Sequence, residues 1–139
     1  MEYTPLINRT IAVSKRPLKL VIAEDSKEFR KRLLQYISQI SGITVVGVAQ
    51  TTREALESIK EHKPELALLD IQMPDKSTLE VIQEIKQIHP EITIIFLTNL
   101  SSPQIRKESL RRGVDYFFDK STEFDQAMKL LEELSTRIS

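Results

Sequence analysis

The sequence predicts an α/β fold in which a parallel sheet is covered by helices on both faces, and three observations predict it. Five apolar runs, at residues 18–23, 43–49, 65–70, 92–98 and 114–118, recur at roughly the 25-residue spacing of repeated strand–helix units. Several of them are apolar almost throughout and rich in Val, Ile and Leu, as strands buried on both faces are. The segments between them repeat apolar residues every three or four positions, the period of a helix with one buried stripe.

Taken in order, the first strand reads LKLVIA and the first helix, about 26–40, lines up Phe29, Leu33, Ile37 and Ile40 against it. The second strand, ITVVGVA, leads to a helix over 52–62. Its start, Thr51-Thr52-Arg53-Glu54, is a capping-box sequence in which the Thr51 hydroxyl and the Glu54 carboxylate satisfy each other's free N–H groups. Pro64 stops that helix. The third strand, ELALLD, precedes a helix over 78–89 with Leu79, Ile82, Ile85 and Ile88 on one side, halted before Pro90. After the fourth strand, ITIIFLT, comes a helix over 102–112 with Pro103 at its first position and Gly113 as its C-terminal cap. Its only large apolar residues, Ile105 and Leu110, lie on different sides, so it is expected to be the loosest and to move when the protein changes state. The fifth strand, VDYFF, is followed by a helix over 122–138 anchored by Phe124, Ala127, Met128, Leu131, Leu134 and Ile138.

The 139 residues have the length of one domain, which we delimit as 18–139, with 1–17 as an N-terminal extension expected to be flexible. The alternating Ile11 and Val13 leave open a short docking strand or an oligomer contact there. With 20 basic and 20 acidic side chains the formal net charge is zero, so no overall field gathers nucleic acid or anionic lipid. The absence of cysteine excludes disulfides, Cys-based zinc sites and thiol nucleophiles. No apolar run has the length of a signal peptide or membrane span, and a soluble cytoplasmic protein is expected.

Ligands of an open parallel sheet sit beyond the carboxyl ends of its strands. There the sequence places Glu24-Asp25 after the first strand, Asp70 at the end of the third, Thr98 at the end of the fourth and Lys120 two residues after the fifth. Three carboxylates in one crevice call for a cation, and hard oxygen donors suit Mg²⁺. A carboxylate beside Mg²⁺ can attack a phosphoryl group, with the metal, an ammonium and a hydroxyl neutralising the transferred oxygens.

The four segments LVIAEDS, LALLDIQMP, IIFLTN and YFFDKS, in this order and at these intervals, closely resemble the receiver domain of two-component response regulators over about residues 18–136. The resemblance implies a flavodoxin-like, doubly wound five-stranded parallel sheet of order 2-1-3-4-5 with five helices. It implies that Asp70 is the phosphoacceptor, taking its phosphoryl group from a phosphohistidine on a sensor histidine kinase or histidine phosphotransfer protein. Asp25 is similar to the direct Mg²⁺ ligand and Glu24 to its partner acting through water, with Asp70 and the Gln72 backbone carbonyl completing the set. Thr98 resembles the switch hydroxyl, Lys120 the ammonium that pairs with the phosphoryl oxygens, and Phe117 the switch aromatic that turns inward. Output through helix four, strand five and helix five to a protein partner is implied in the same way, while a homodimer stays open; from the residues themselves, no membrane and no direct nucleic-acid contact by this chain is expected.

Four departures from the family pattern carry expectations. Ser121 follows Lys120 where a cis proline is usual, and the isomer of that bond is left open. Asn99 stands where a small residue is usual and is expected to narrow the entrance to Asp70. Thr78 replaces a common glycine, predicting a stiffer or differently shaped loop. Gln72 and Leu100 occupy the positions that tune hydrolysis, and an apolar Leu100 cannot hydrogen-bond an attacking water, which predicts a long-lived phosphoryl group.

Two other classes of function compete. A phosphorylation-independent, receiver-like interaction domain is motivated by the altered residues 78, 99 and 121. A Mg²⁺-dependent phosphatase with an aspartate nucleophile lacks its second acid, because Gln72 stands there. Enzymatic activity beyond self-phosphorylation from a donor and slow self-dephosphorylation is not expected. A receiver reads alike with or without an output domain, so both arrangements stay open. Tyr116 and Phe118 are assigned to packing, and His62 and His89 to the surface near helix ends. The basic residues Arg106, Lys107, Arg111 and Arg112 are assigned to a solvated face, with a partner contact as second choice.

Overall fold

The computed structural model describes residues 16–136. The proposed N-terminal extension, apart from Arg16 and Pro17, and Ile138 lie outside the described residues. The elements are β1 (Leu18–Ala23), α1 (Lys27–Ile37), β2 (Ile43–Ala49), α2 (Thr52–His62), β3 (Leu66–Leu69), α3 (Ile82–Ile88), β4 (Thr93–Thr98), α4 (Pro103–Arg112), β5 (Tyr116–Asp119) and α5 (Phe124–Thr136), with a 3-10 turn, Thr78–Val81, entering α3. The five strands form one sheet of order β2-β1-β3-β4-β5, every neighbouring pair parallel. This is the 2-1-3-4-5 arrangement the resemblance implies.

Alternate residues of the central strands feed two cores. Val21, Ala67, Leu69, Ile94 and Phe96 face α2 and α3, packing on Ala55, Ile59, Ile82 and Ile85. Leu20, Ile22, Leu68, Ile95 and Leu97 face α1 and α5, packing on Leu33, Ile37, Ala127, Met128 and Leu131. Burying each large aliphatic side chain stabilises the fold by about 1.5–3 kcal/mol, which is why runs apolar on both sides settle at the sheet centre. β2, an edge strand, is bulged: Leu20 aligns with Val45 but Val21 with Gly47. A Cβ on Gly47 would overlap the Ser58 hydroxyl of α2, so the helix sits close over the bulge. Gly113 ends α4 at φ 115°, a conformation that a residue with a Cβ rarely adopts.

Several boundaries correct the sequence reading. α1 stops at Ile37, and Ile40 is buried in the turn beyond it. The segment predicted as one helix over 78–89 divides into a 3-10 turn and α3, and His89 is already extended at φ −147°. α5 begins at Phe124, since residues 119–123 form a turn closed by the Asp119 carbonyl accepting from Glu123 N–H at 2.9 Å. The Thr51 hydroxyl accepts from Glu54 N–H at 3.0 Å as expected, but the Glu54 carboxylate accepts from Gln50 N–H at 2.8 Å, one residue before the predicted position.

Candidate functional site

The backbone ladder runs one residue past the strands where the site lies. Glu24 N–H donates to the Ala49 carbonyl at 2.9 Å, Asp70 N–H to the Ala23 carbonyl at 3.0 Å, and Lys120 N–H to the Thr98 carbonyl at 2.9 Å. The sheet therefore fixes the stems of these side chains at the carboxyl edge, as its pattern of apolar runs predicts.

Carboxylate oxygens of Glu24, Asp25 and Asp70 lie within 4.8 Å of one another. Glu24 and Asp70 are buried, Asp25 exposed. The Lys120 ammonium bridges the two buried acids, donating to Glu24 Oε1 at 2.8 Å and Asp70 Oδ2 at 3.0 Å, and its Nζ stands 4.4 Å from the centre of the Phe29 ring. Burial pushes the Glu24 carboxyl above its ordinary value, against the opposing pull of the Lys120 and Ser26 hydrogen bonds. Burial would lower the Lys120 pKa, but its bonds to Glu24 and Asp70 outweigh that and raise it, so the ammonium stays charged. Three carboxylates facing one ammonium leave excess negative charge, and a hard divalent cation matches that oxygen donor set.

The remaining predicted residues lie on the strands and loops that lead to this edge of the sheet. Gln72 is exposed, and its N–H donates to Asp70 Oδ1 at 3.2 Å. Thr98 is fully buried, and its hydroxyl accepts from Leu100 N–H at 3.2 Å, within its own loop. Asn99 and Leu100 are both exposed, and Asn99 Oδ1 accepts from the Ser121 hydroxyl at 3.3 Å. Two of the departures from the family pattern thus bond to each other across neighbouring loops. The Lys120–Ser121 peptide is trans. Phe117 is turned inward, 6% exposed, with its ring edge-on to Phe96 at 6.1 Å. Thr78 donates its hydroxyl to the Asp70 carbonyl at 2.7 Å and its N–H to the Ile71 carbonyl at 3.1 Å, closing the loop that follows Asp70.

That loop is also tied outward. Asp75 Oδ1 accepts from Thr52 N–H at 2.9 Å and Oδ2 from Arg53 N–H at 3.0 Å, while the Thr52 hydroxyl donates to the Lys76 carbonyl at 2.6 Å. With Thr51 serving Glu54, three free N–H groups of the first turn of α2 are satisfied. The slight burial of Asp75 raises its pKa, and these N–H bonds more than reverse that, leaving the carboxyl below its ordinary value. Sequence reading missed this cap because its members lie 23 residues apart. It also read Phe29 only as part of the α1 stripe, where helical spacing carries no sign of a cation above the ring.

Around α4 the basic residues are largely engaged. Arg106 donates to the Phe117 carbonyl and to Glu123, both at 3.0 Å, and its guanidinium lies 4.7 Å from the Phe117 ring centre. Arg111 and Arg112 both bond Glu108 at 2.7 Å, pulling its carboxyl down to about 2, whereas Lys107 is exposed. Phe118 packs on the α1/α5 layer as assigned, but Tyr116 is 36% exposed, a correction that follows from its place on an edge strand. Among the described residues no helix is long and apolar enough to cross a membrane.

A sheet of this order with acids after its first and third strands and a lysine after its fifth defines the receiver class, and comparison with known proteins agrees. The model of the response regulator receiver domain matches residues 20–132, and the chain belongs to that family. It is 36% identical over 112 residues to the uncharacterized transcriptional regulatory protein YhcZ of Bacillus subtilis, covering 81% of this chain and 52% of the relative. With the transcriptional regulatory protein CitT of the same organism it shares 32% over 114 residues, covering 82% and 50%. The chain thus spans about half the length of these relatives. Among solved structures, the signal receiver domain of NarL from Mycobacterium tuberculosis superposes with a TM-score of 0.78 at 25% identity, covering 88% of this chain and 99% of that one. The CheX–CheY–BeF3–Mg²⁺ complex from Borrelia burgdorferi superposes at 0.80, covering 91% and 95%, and at 21% identity demonstrates the shared fold.

Proposed function

We propose that this chain is a phosphorylation-dependent switch of a two-component system or phosphorelay, acting in the cytoplasm. The observation that carries the reading is the Lys120 ammonium bonded to both buried acids at the mouth where Glu24, Asp25 and Asp70 converge. Asp70 attacks the phosphorus of a phosphohistidine on a sensor kinase or phosphotransfer protein; the new P–O bond forms as the P–N bond breaks, and the imidazole leaves. Asp25, Asp70 and the Gln72 carbonyl would hold Mg²⁺, with Glu24 acting through water. When bound, the ion supplies positive charge that offsets both the carboxylates and the phosphoryl oxygens.

The chain's own residues then set the response. The added charge at Asp70 draws the Lys120 ammonium away from the carboxylates and the Thr98 hydroxyl away from Leu100 N–H, favouring the arrangement in which both contact the phosphoryl group. Thr98 begins the loop that enters α4, so its movement is felt by Phe117 and by α4, which changes the α4 side of the α4/β5/α5 face. Leu110 and Tyr116, 47% and 36% exposed, supply apolar surface on that face for a protein partner or a second copy. The similarity to transcriptional regulatory proteins supports reading the switch as regulatory, through an attached output domain or a separate partner. Exposed, apolar Leu100 offers no hydrogen bond to a hydrolytic water, in line with slow self-dephosphorylation.

Intact mass after incubation with Mg²⁺ and a phosphorylated histidine kinase tests this. A gain of one phosphoryl group that requires Mg²⁺ and is lost in Asp70→Asn is expected. No gain from a kinase shown to phosphorylate another receiver would overturn the reading and favour the phosphorylation-independent interaction domain.

A further inference from the structure

We propose that Phe29 is a positioning residue for Lys120, holding the ammonium over its ring face so that it is ready to receive the phosphoryl group; this rests on the reading given under Proposed function. An ammonium has three N–H donors. Two are spent on Glu24 Oε1 at 2.8 Å and Asp70 Oδ2 at 3.0 Å, and the Phe29 ring centre lies 4.4 Å from Nζ. The Lys120 side chain is 11% exposed, so the ring stands where water would otherwise complete the ammonium's shell.

The ring is itself held on the side away from the site. Its backbone N–H is fixed by the Ser26 hydroxyl that caps α1, at 3.3 Å. Its ring meets Phe124 of α5 edge-to-face, with centroids 5.7 Å apart and planes at 81°. Phe124 is edge-packed in turn by Tyr36 at 5.8 Å and covered by the Arg32 guanidinium at 3.9 Å. Swinging Phe29 away therefore breaks its edge contact with Phe124 of α5.

A cation held by a ring face differs usefully from one held by a third carboxylate. The attraction comes from the ring quadrupole, is weakly directional, and brings no fixed charge to compete with incoming phosphoryl oxygens. Lys120 can slide from the carboxylates to the phosphoryl group while remaining above the ring. Tyrosine keeps that ring face; leucine keeps apolar bulk and removes it. The pair of substitutions separates positioning from packing.

The test follows Asp70 labelling by phosphoramidate with Mg²⁺ in the whole chain, by intact mass, for wild type, Phe29→Leu and Phe29→Tyr, together with thermal melting and the ε-methylene proton resonances of Lys120. Phe29→Leu is expected to label about three- to ten-fold more slowly, the size of a cation–π contact between the exposed and the fully desolvated limits expressed as a rate. Phe29→Tyr is expected to label within about twofold of wild type by the same contact. The Lys120 resonances should be shifted upfield by the ring in wild type and Phe29→Tyr, and return to ordinary lysine values in Phe29→Leu. Equal labelling of wild type and Phe29→Leu, or equal slowing by both substitutions in step with their melting temperatures, overturns the proposal. If wild type takes no label from phosphoramidate or from the kinase, the switch reading fails separately. The resonances then decide alone: the upfield shift confined to the aromatic variants supports the positioning of Lys120, and its absence from wild type overturns it.

Discussion

Helices α4 and α5 flank the same strand, β5, and are docked by different forces. α5 buries Phe124, Ala127, Met128 and Leu131. α4 fully buries only Ser109, rests the partly buried Ile105 on the α2/α3 core, leaves Leu110 47% exposed, and is otherwise attached through polar groups: Arg106 to the Phe117 carbonyl and Glu123, Arg112 to the Leu79 carbonyl at 3.2 Å, and the Ser101 hydroxyl ahead of the helix to Asp119. Apolar burial has no preferred direction and is lost only by separating the surfaces, whereas hydrogen bonds and ion pairs can be exchanged for others at small net cost. A helix docked in the second way can be repositioned by a new charge nearby, which suits the element that follows Thr98.

Substitutions should sharpen this contrast. Leu131→Ala, in a fully buried position, is expected to cost about 2–5 kcal/mol of unfolding free energy. Leu110→Ala should cost within about 0.5 kcal/mol. Comparable losses in urea denaturation would break the comparison. Between them falls Arg106→Ala, which removes two hydrogen bonds and a stacked guanidinium whose side chain is 37% exposed. After discounting for solvent, about 1 kcal/mol is expected, with amide exchange accelerated in α4 and unchanged in α5.

The smallest effect is on pH response. The Ser101 hydroxyl, with N–H groups of Thr122 and Ser121, holds the Asp119 carboxyl at about 2. Its folded value is depressed, so whatever the staple contributes is present above the ordinary aspartate range and is lost as pH falls from about 3.8 toward about 2. A carboxyl ¹³C titration should show that midpoint in wild type and a higher one in Ser101→Ala; a wild-type midpoint near 3.8 would remove the staple from the account.

Much of this arrangement was legible in the sequence because it rests on local signals. Runs such as LVIA and ALLD announce strands buried on both faces, and the acids, Thr98 and Lys120 follow those runs directly, so strand ends and site residues came together. Pro103 and Gly113 marked α4 within a residue at each end, and its lack of an apolar stripe was visible as well. What escaped reading is tertiary. The Asp75 cap on α2 joins two loops that no local pattern links, and Thr78, from which a stiffer or differently shaped loop is expected, bonds the Asp70 carbonyl, a partner that expectation does not name. The polar attachments of α4 looked like a solvated basic face until Glu123 and the Phe117 carbonyl were found opposite Arg106. Edge position, not residue type, exposes Tyr116.

The central claim is that phosphorylation of Asp70 acts on the polar-docked helix and spares the apolar-docked one. Amide hydrogen exchange of the Mg²⁺-loaded chain with and without the phosphoryl group tests it most directly. The account predicts changed protection from Thr98 through Gly113 and at Phe117, with the buried positions of α5 unaltered. Exchange that is the same in both states throughout α4, or that changes equally in α5, would contradict it.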